Sequence, residues 1–146
     1  MARITLDLPD TFVFSTEIPV TINMINYGGH VGNDAILSVA HEARIRMLTD
    51  KGFKELDIDG FGLIMTDTAI IYKAESFHGD ILKVSEGLRD FNKYGCDIVY
   101  HITTVADEKE IARVKTGIVF FDYTCRKVSE IPPAFKSVFC KEAAAL

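Results

Sequence analysis

The sequence predicts an α+β fold in which one long helix packs on an antiparallel sheet. Three observations carry this. A single stretch, residues 33–50, repeats its apolar positions at helical spacing. Four β-rich runs follow it, separated by short turns. The chain of 146 residues, 48% hydrophobic and 25% charged, suits one domain with its own core.

Taken in order, residues 4–6 are a short strand candidate, closed by Pro9-Asp10 as a turn. Residues 12–25 hold two β-rich runs split by Pro19, the second being Val20-Thr21-Ile22-Asn23-Met24-Ile25. In Asn26-Tyr27-Gly28-Gly29-His30-Val31-Gly32, three glycines in five residues rule out regular structure. The backbone of this loop must turn tightly or approach something closely. Asn33 then suits an N-cap and Asp34 the first turn of the helix. Ile36, Val39, Ala40, Ala43 and Met47 share one helix face, while Ser38, His41, Glu42, Arg46 and Thr49 lie away from it. Small residues on that face let the helix lie close to a sheet, and Gly52 stops it.

Residues 63–75, 81–91, 97–105 and 111–124 read as strands, with turns at 77–80, 92–95 and 107–110. Short turns predict that consecutive strands pair antiparallel, as a meander. Pro132-Pro133 ends the regular structure, and the tail beyond it suits a short helix. One helix covers only part of such a sheet, so self-association is expected.

Net charge −5 and a pI near 5.3 argue against nucleic-acid binding, whose affinity comes from Lys and Arg on phosphates. A small phosphorylated ligand stays compatible, since a few local cations suffice to hold it. Cys96, Cys125 and Cys140 are odd in number and widely spaced, which reads as reduced thiols with no metal role. No apolar run nears the roughly 20 residues of a membrane span, and residues 1–7 lack the apolar core of a signal peptide. A cytoplasmic location is expected.

The order of glycine loop, helix and strands resembles the hotdog fold, a curved antiparallel sheet wrapped around one long central helix. Its detailed likeness is to the 4-hydroxybenzoyl-CoA thioesterase-like branch of the acyl-CoA thioesterases. That branch carries a pattern like Asp-x-x-Gly-His-Val-Asn-Asn before the helix and Glu-x-x-Arg-like residues within it. Asn26-Tyr27-Gly28-Gly29-His30-Val31-Gly32-Asn33 and His41-Glu42-Ala43-Arg44 match it here. Ile71-Tyr72-Lys73-Ala74, Gly79-Asp80-Ile81-Leu82 and Gly117-Ile118-Val119-Phe120-Phe121-Asp122 resemble the family's strands, and Arg126-Lys127-Val128 its exit. The resemblance implies a single hotdog domain over 1–146, with a core of about 18–135 and a C-terminal tail at 136–146. It also implies acyl-CoA hydrolysis by a homodimer or homotetramer, with coenzyme A entering only as part of the substrate and no other cofactor.

Two departures bear on mechanism. Asn26 stands where many of these enzymes have a catalytic aspartate, and an amide serves neither as nucleophile nor as general base. Gly32 replaces the first asparagine of the usual pair. The catalytic candidates are therefore Asn26, His30, Asn33, Asp34 and Glu42. By resemblance the Asn33 backbone N–H is the oxyanion donor, backed by the positive end of the helix; read simply, Asn33 is a cap. Asn26 either holds water or carbonyl through its amide or closes the loop as an Asx-turn. His30 is a base or a loop hydrogen-bonder. Asp34 is a water-activating carboxylate or a helix-stabilising charge, and Glu42 a substitute acid or the ion-pair partner of Arg46. Asp67, an acid inside an apolar strand, reads mainly as solvent-facing. Substrate-binding roles fall to Tyr27, Gly29 and Gly32 in the loop. Arg126 and Lys127 would meet the CoA phosphates, ahead of Lys73, Arg89 and Lys93. Beside hydrolysis stand two alternatives, a non-catalytic acyl/CoA-binding module and a hotdog-fold hydratase or dehydratase.

Overall fold

A computed structural model describes residues 2–140. Strand β1 (Phe14–Pro19) leads into a 3₁₀ turn (Ile22–Met24), the glycine loop and helix α1 (Asn33–Asp50). Strands β2 (Gly62–Tyr72), β3 (Ile81–Arg89), β4 (Gly95–Thr104), β5 (Glu110–Asp122) and β6 (Lys127–Ser129) follow, then helix α2 (Pro133–Phe139). All form one antiparallel sheet in the order β1-β3-β4-β5-β2, with β6 also on β5.

The helix lies where its apolar period puts it, with Ile36, Val39, Ala40, Ala43 and Met47 all buried. Its N-cap, however, is Gly32, in extended backbone with no side-chain cap, so Asn33 is already the first helical residue. Two early segments also differ from expectation. Residues 4–6 form no strand and belong to an arm over the outer face of the sheet. There the Arg113 guanidinium donates to the Leu6 carbonyl at 3.0 Å, and Phe12 stacks on His101 at 6.2 Å. The run 20–25 leaves the ladder after Pro19, because Met24 and Ile25 donate back to Thr21 and Ile22 in a local turn.

The meander holds only from β3 to β5. Strand β2 pairs with β5 at the edge, and residues 73–80 cross to the other side of the sheet before β3 begins. The crossing is tied down by the Val31 N–H on the Ser76 carbonyl and the Val20 N–H on the Asp80 carbonyl, both 2.9 Å. Pro133 starts α2, where its missing N–H costs no helical bond. Phe120 and Phe135 meet edge to face at 4.9 Å beneath it. Tail residues 141–146 lie outside the described residues.

Beneath α1 the core carries charge. Arg44 is buried and donates to Glu55 at 3.1 Å and to the Tyr100 hydroxyl at 3.2 Å, and that hydroxyl meets Thr116 at 2.8 Å. Glu86, opposite Tyr100 across β3 and β4, is wholly buried, and neither carboxyl oxygen has a hydrogen-bond partner among the described residues. Burial pushes its pKa up to about 8 against the pull of Arg44, so it is largely protonated at neutral pH. The cysteines are free thiols, Cys96 and Cys140 buried and Cys125 exposed. Burial raises the Cys96 pKa further, away from reactivity.

Candidate active site

The glycine loop is closed by its own backbone. The Asn26 N–H donates to the His30 carbonyl at 2.9 Å, the Gly29 N–H to the Asn26 carbonyl at 3.1 Å, and the Gly32 N–H to the Met24 carbonyl at 2.9 Å. Gly29 turns this corner at φ +82°, where side chains are strained. The Asn26 side-chain oxygen accepts the Gly28 N–H at 2.9 Å, forming an Asx-turn. Among the described residues, the Nδ2 group at the other end of that amide has no hydrogen-bond acceptor.

Closure gathers four candidates around one hollow of about 490 Å³, lined by Asn26, Tyr27, Gly28, His30, Gly32, Asn33 and Asp34. A Cβ added at Gly28 would stand 3.2 Å from both the Asn26 oxygen and His30 Nε2, so these two groups flank one bare stretch of backbone. At Gly32 an added Cβ would meet the Asp34 carboxylate at 2.7 Å and the Asn26 Cβ at 3.5 Å. The Asp34 carboxylate thus folds back over Gly32 toward Asn26, which explains the glycine at that position. Asn33 is the first helical residue, so its N–H has no intrahelical acceptor and sits at the positive end of α1.

His30 holds Nδ1 at 3.1 Å from the Val31 carbonyl. That contact makes Nδ1 the protonated nitrogen of the neutral ring and leaves Nε2 as a lone pair toward the hollow. Glu75 lies 3.8 Å from Nε2, outside hydrogen-bonding range. One group that sequence reasoning passed over as a site residue is Tyr72. Its hydroxyl donates to the Asn33 carbonyl at 3.0 Å, tying the end of β2 to the first turn of α1. Its position at the end of an apolar run was visible, but nothing local tells that β2 ends beside the helix.

Other candidates stand elsewhere. Gly29 shapes the loop without lining the hollow. Glu42 pairs with Arg46 at 3.3 Å on the exposed helix face, and Arg46 also grips Thr16 and the Glu17 carbonyl of β1. Arg126 and Lys127 follow the far end of β5. Ten residue steps, roughly 33 Å of strand, separate Asp122 there from Ala112, which faces Tyr72. Asp67 is exposed on β2, as expected, and pairs with Lys115 at 2.6 Å, which holds its carboxyl below the usual range. Arg89 and Lys93 are paired to Asp90 and Glu130. Lys73 alone of the strand-end cations lies beside the loop. Among the described residues no group of three or more His, Cys, Asp or Glu is arranged to hold a metal.

Residues 20–139 match a family model described as the thioesterase-like superfamily. No curated protein sequence matches the chain. Among solved structures, it is similar to a 1,4-dihydroxy-2-naphthoyl-CoA thioesterase from Synechocystis, at TM-score 0.81 and 22% identity over 88% of this chain and 96% of that one. It is also similar to a gentisyl-coenzyme A thioesterase, at TM-score 0.76 and 19% identity over 86% and 99%. A Staphylococcus aureus protein in complex with CoA gives 0.78 and 14% over 91% and 84%. At these identities the structural likeness establishes the hotdog fold.

Proposed function

The chain belongs to the thioesterase-like superfamily, and on that premise we propose that it hydrolyses an acyl-CoA thioester to a free acid and CoA. One observation carries this reading. Asn26, His30, Asn33 and Asp34 line a single hollow, with His30 Nε2 beside Gly28 and the Asp34 carboxylate beside Gly32. The two relatives whose names specify CoA thioesters and the one holding CoA support a CoA-borne substrate.

In the proposed course the thioester carbonyl oxygen sits on the Asn33 N–H, where developing negative charge meets the helix dipole. The Asp34 carboxylate takes a proton from a water that Asn26 Nδ2 orients by donating to its oxygen. The water oxygen bonds to the carbonyl carbon, and the C–S bond then breaks. The thiolate leaves with a proton returned from the base side of the site, through Asp34 or His30. Asn26 has no carboxylate to form a covalent acyl-enzyme, so attack by water is the route that this loop favours.

We further propose that the chain acts as one hotdog domain, in the cytoplasm, as a homodimer or homotetramer, with no cofactor beyond the substrate's CoA. Among the described residues, strand β2 leaves an unpaired edge for such assembly. No helix among the described residues is long and apolar enough to cross a membrane.

Free-thiol release from short, medium, long and aromatic acyl-CoAs tests the reading. Asp34→Ala is expected to lower kcat by about 100-fold, the usual contribution of a general base, while Glu42→Ala stays near wild type. Tyr72→Phe is expected to lower kcat about fivefold with little change in KM, since it loosens the Asn33 turn by one hydrogen bond. Saturable CoA binding without thiol release would favour a non-catalytic acyl-CoA-binding module, the reading that Asn26 itself suggests.

A further inference from the structure

The hollow beneath Asn26 and Asp34 continues past the loop. It shares His30 and Asn33 with a second concavity of about 340 Å³, walled also by Tyr72, Lys73 and Ser76. Phe77, the next residue along, opens a third of about 380 Å³, bounded by Ile81, Val105 and Lys109. The three are close, since the Val31 N–H bonds directly to the Ser76 carbonyl at 2.9 Å. The second and third hollows share no lining residue and adjoin only along the chain, at Ser76 and Phe77.

We infer that the third hollow is the subsite for the nucleotide end of CoA. The inference rests on the acyl-CoA reading above and assigns residues to a part of that ligand which the loop does not touch. Phe77, Ile81 and Val105 are 43%, 46% and 42% exposed, an unusual grouping of apolar side chains at one mouth. A flat heterocycle laid on them removes that surface from water, and a purine can stack on Phe77. Lys109 Nζ stands over one face of the Phe77 ring, 5.7 Å from its centroid, so a purine would stack on the other face or displace the ammonium toward a base-linked phosphate. Lys73 lines the second hollow together with His30 and Asn33 of the loop, where a cation would meet the diphosphate. Among the described residues neither lysine is held in an ion pair.

Two carboxylates also line the hollow, and both are turned to protein donors. Asp80 accepts the Phe77 N–H at 2.9 Å, and Asp107 accepts the Thr104 hydroxyl. They fix the floor of the subsite and favour the uncharged purine there, leaving the phosphates to the lysine side.

The test compares kcat/KM for one acyl-CoA and the matching acyl-pantetheine, which lacks the nucleotide. Phe77→Ser is expected to cut the preference for the CoA ester about tenfold, the worth of one stacked base. Lys109→Met is expected to lower the same ratio and flatten its salt dependence. An unchanged ratio in both variants, with turnover intact, overturns the subsite and leaves the hydrolysis reading standing. If wild type cleaves neither ester, adenosine 3′,5′-bisphosphate is titrated by calorimetry instead. Binding weakened about tenfold by Phe77→Ser upholds the subsite without hydrolysis. No binding to wild type, or equal binding to wild type and variants, overturns it.

Discussion

At pH 8 the Glu86→Gln variant is expected to be more stable than wild type by on the order of 4 kcal/mol, and at pH 4.5 the two should be nearly equal. Glu86 has no exposed surface, and both carboxyl oxygens lack partners among the described residues. Burial raises its pKa from 4.5 to about 8. Below the lower value the group is protonated in both folded and unfolded chains and contributes no pH slope. Between the two values the unfolded chain releases the proton while the folded chain keeps it, so stability falls as pH rises. Above the upper value the loss is complete. Glutamine keeps the shape, stays neutral throughout, and so removes the slope. Urea unfolding of both proteins from pH 4.5 to 9 isolates this group, because titrations elsewhere cancel in the difference. Parallel curves would mean that Glu86 has access to water or to Arg44 in a way that the buried geometry denies.

The same residue marks a limit of what the sequence discloses. Helix α1 was legible to its last turn, because a repeat of 3.6 residues can be satisfied only by burying Ile36, Val39, Ala40, Ala43 and Met47 together. Strands β2 to β5 were legible too, within a few residues, since alternation and turn chemistry are local. Which strands pair is a non-local matter. Residues 77–80 read as a hairpin turn after a strand to 75, yet residues 73–80 carry the chain across the sheet, so β2 meets β5 and its last residue, Tyr72, reaches the helix. The loop candidates Asn26, His30, Asn33 and Asp34 came together because they are adjacent in sequence. Arg126 and Lys127 were placed by likeness to a motif, and the length of β5 carries them away from the loop within this chain. Glu86 sits on the inward face of β3 with Leu82 and Val84, and its alternation with Lys83 and Ser85 was readable. Its burial without a partner follows only from the covering by α1.

Gly95→Ala is expected to cost roughly 3 kcal/mol or more, although alanine suits the first residue of a strand far better than glycine does. The sequence reads Asn92-Lys93-Tyr94-Gly95 as a turn. Gly95 in fact begins β4 opposite Val119, with no positive φ. An added Cβ there would fall 1.8 Å from the Ile118 carbonyl oxygen, with the Ile118 carbonyl carbon and Val119 Cα at 2.8 and 2.9 Å. All three are backbone atoms of the neighbouring strand, so no rotamer change makes room. Relief requires β4 to move off β5, which strains the Gly95 N–H bond to the Asn92 side chain and the Asn92 N–H bond to the Gly95 carbonyl, at 3.0 and 2.9 Å. Gly52→Ala serves as the contrast. That residue follows α1 at φ +82° with nothing within 4 Å of an added Cβ, so only local strain of about 1 kcal/mol is expected. Urea midpoints with unchanged slopes would give both costs. A Gly95→Ala penalty no larger than that of Gly52→Ala would show that the β4–β5 pairing yields at this point, and with it the rigid floor against which α1 and the loop are set.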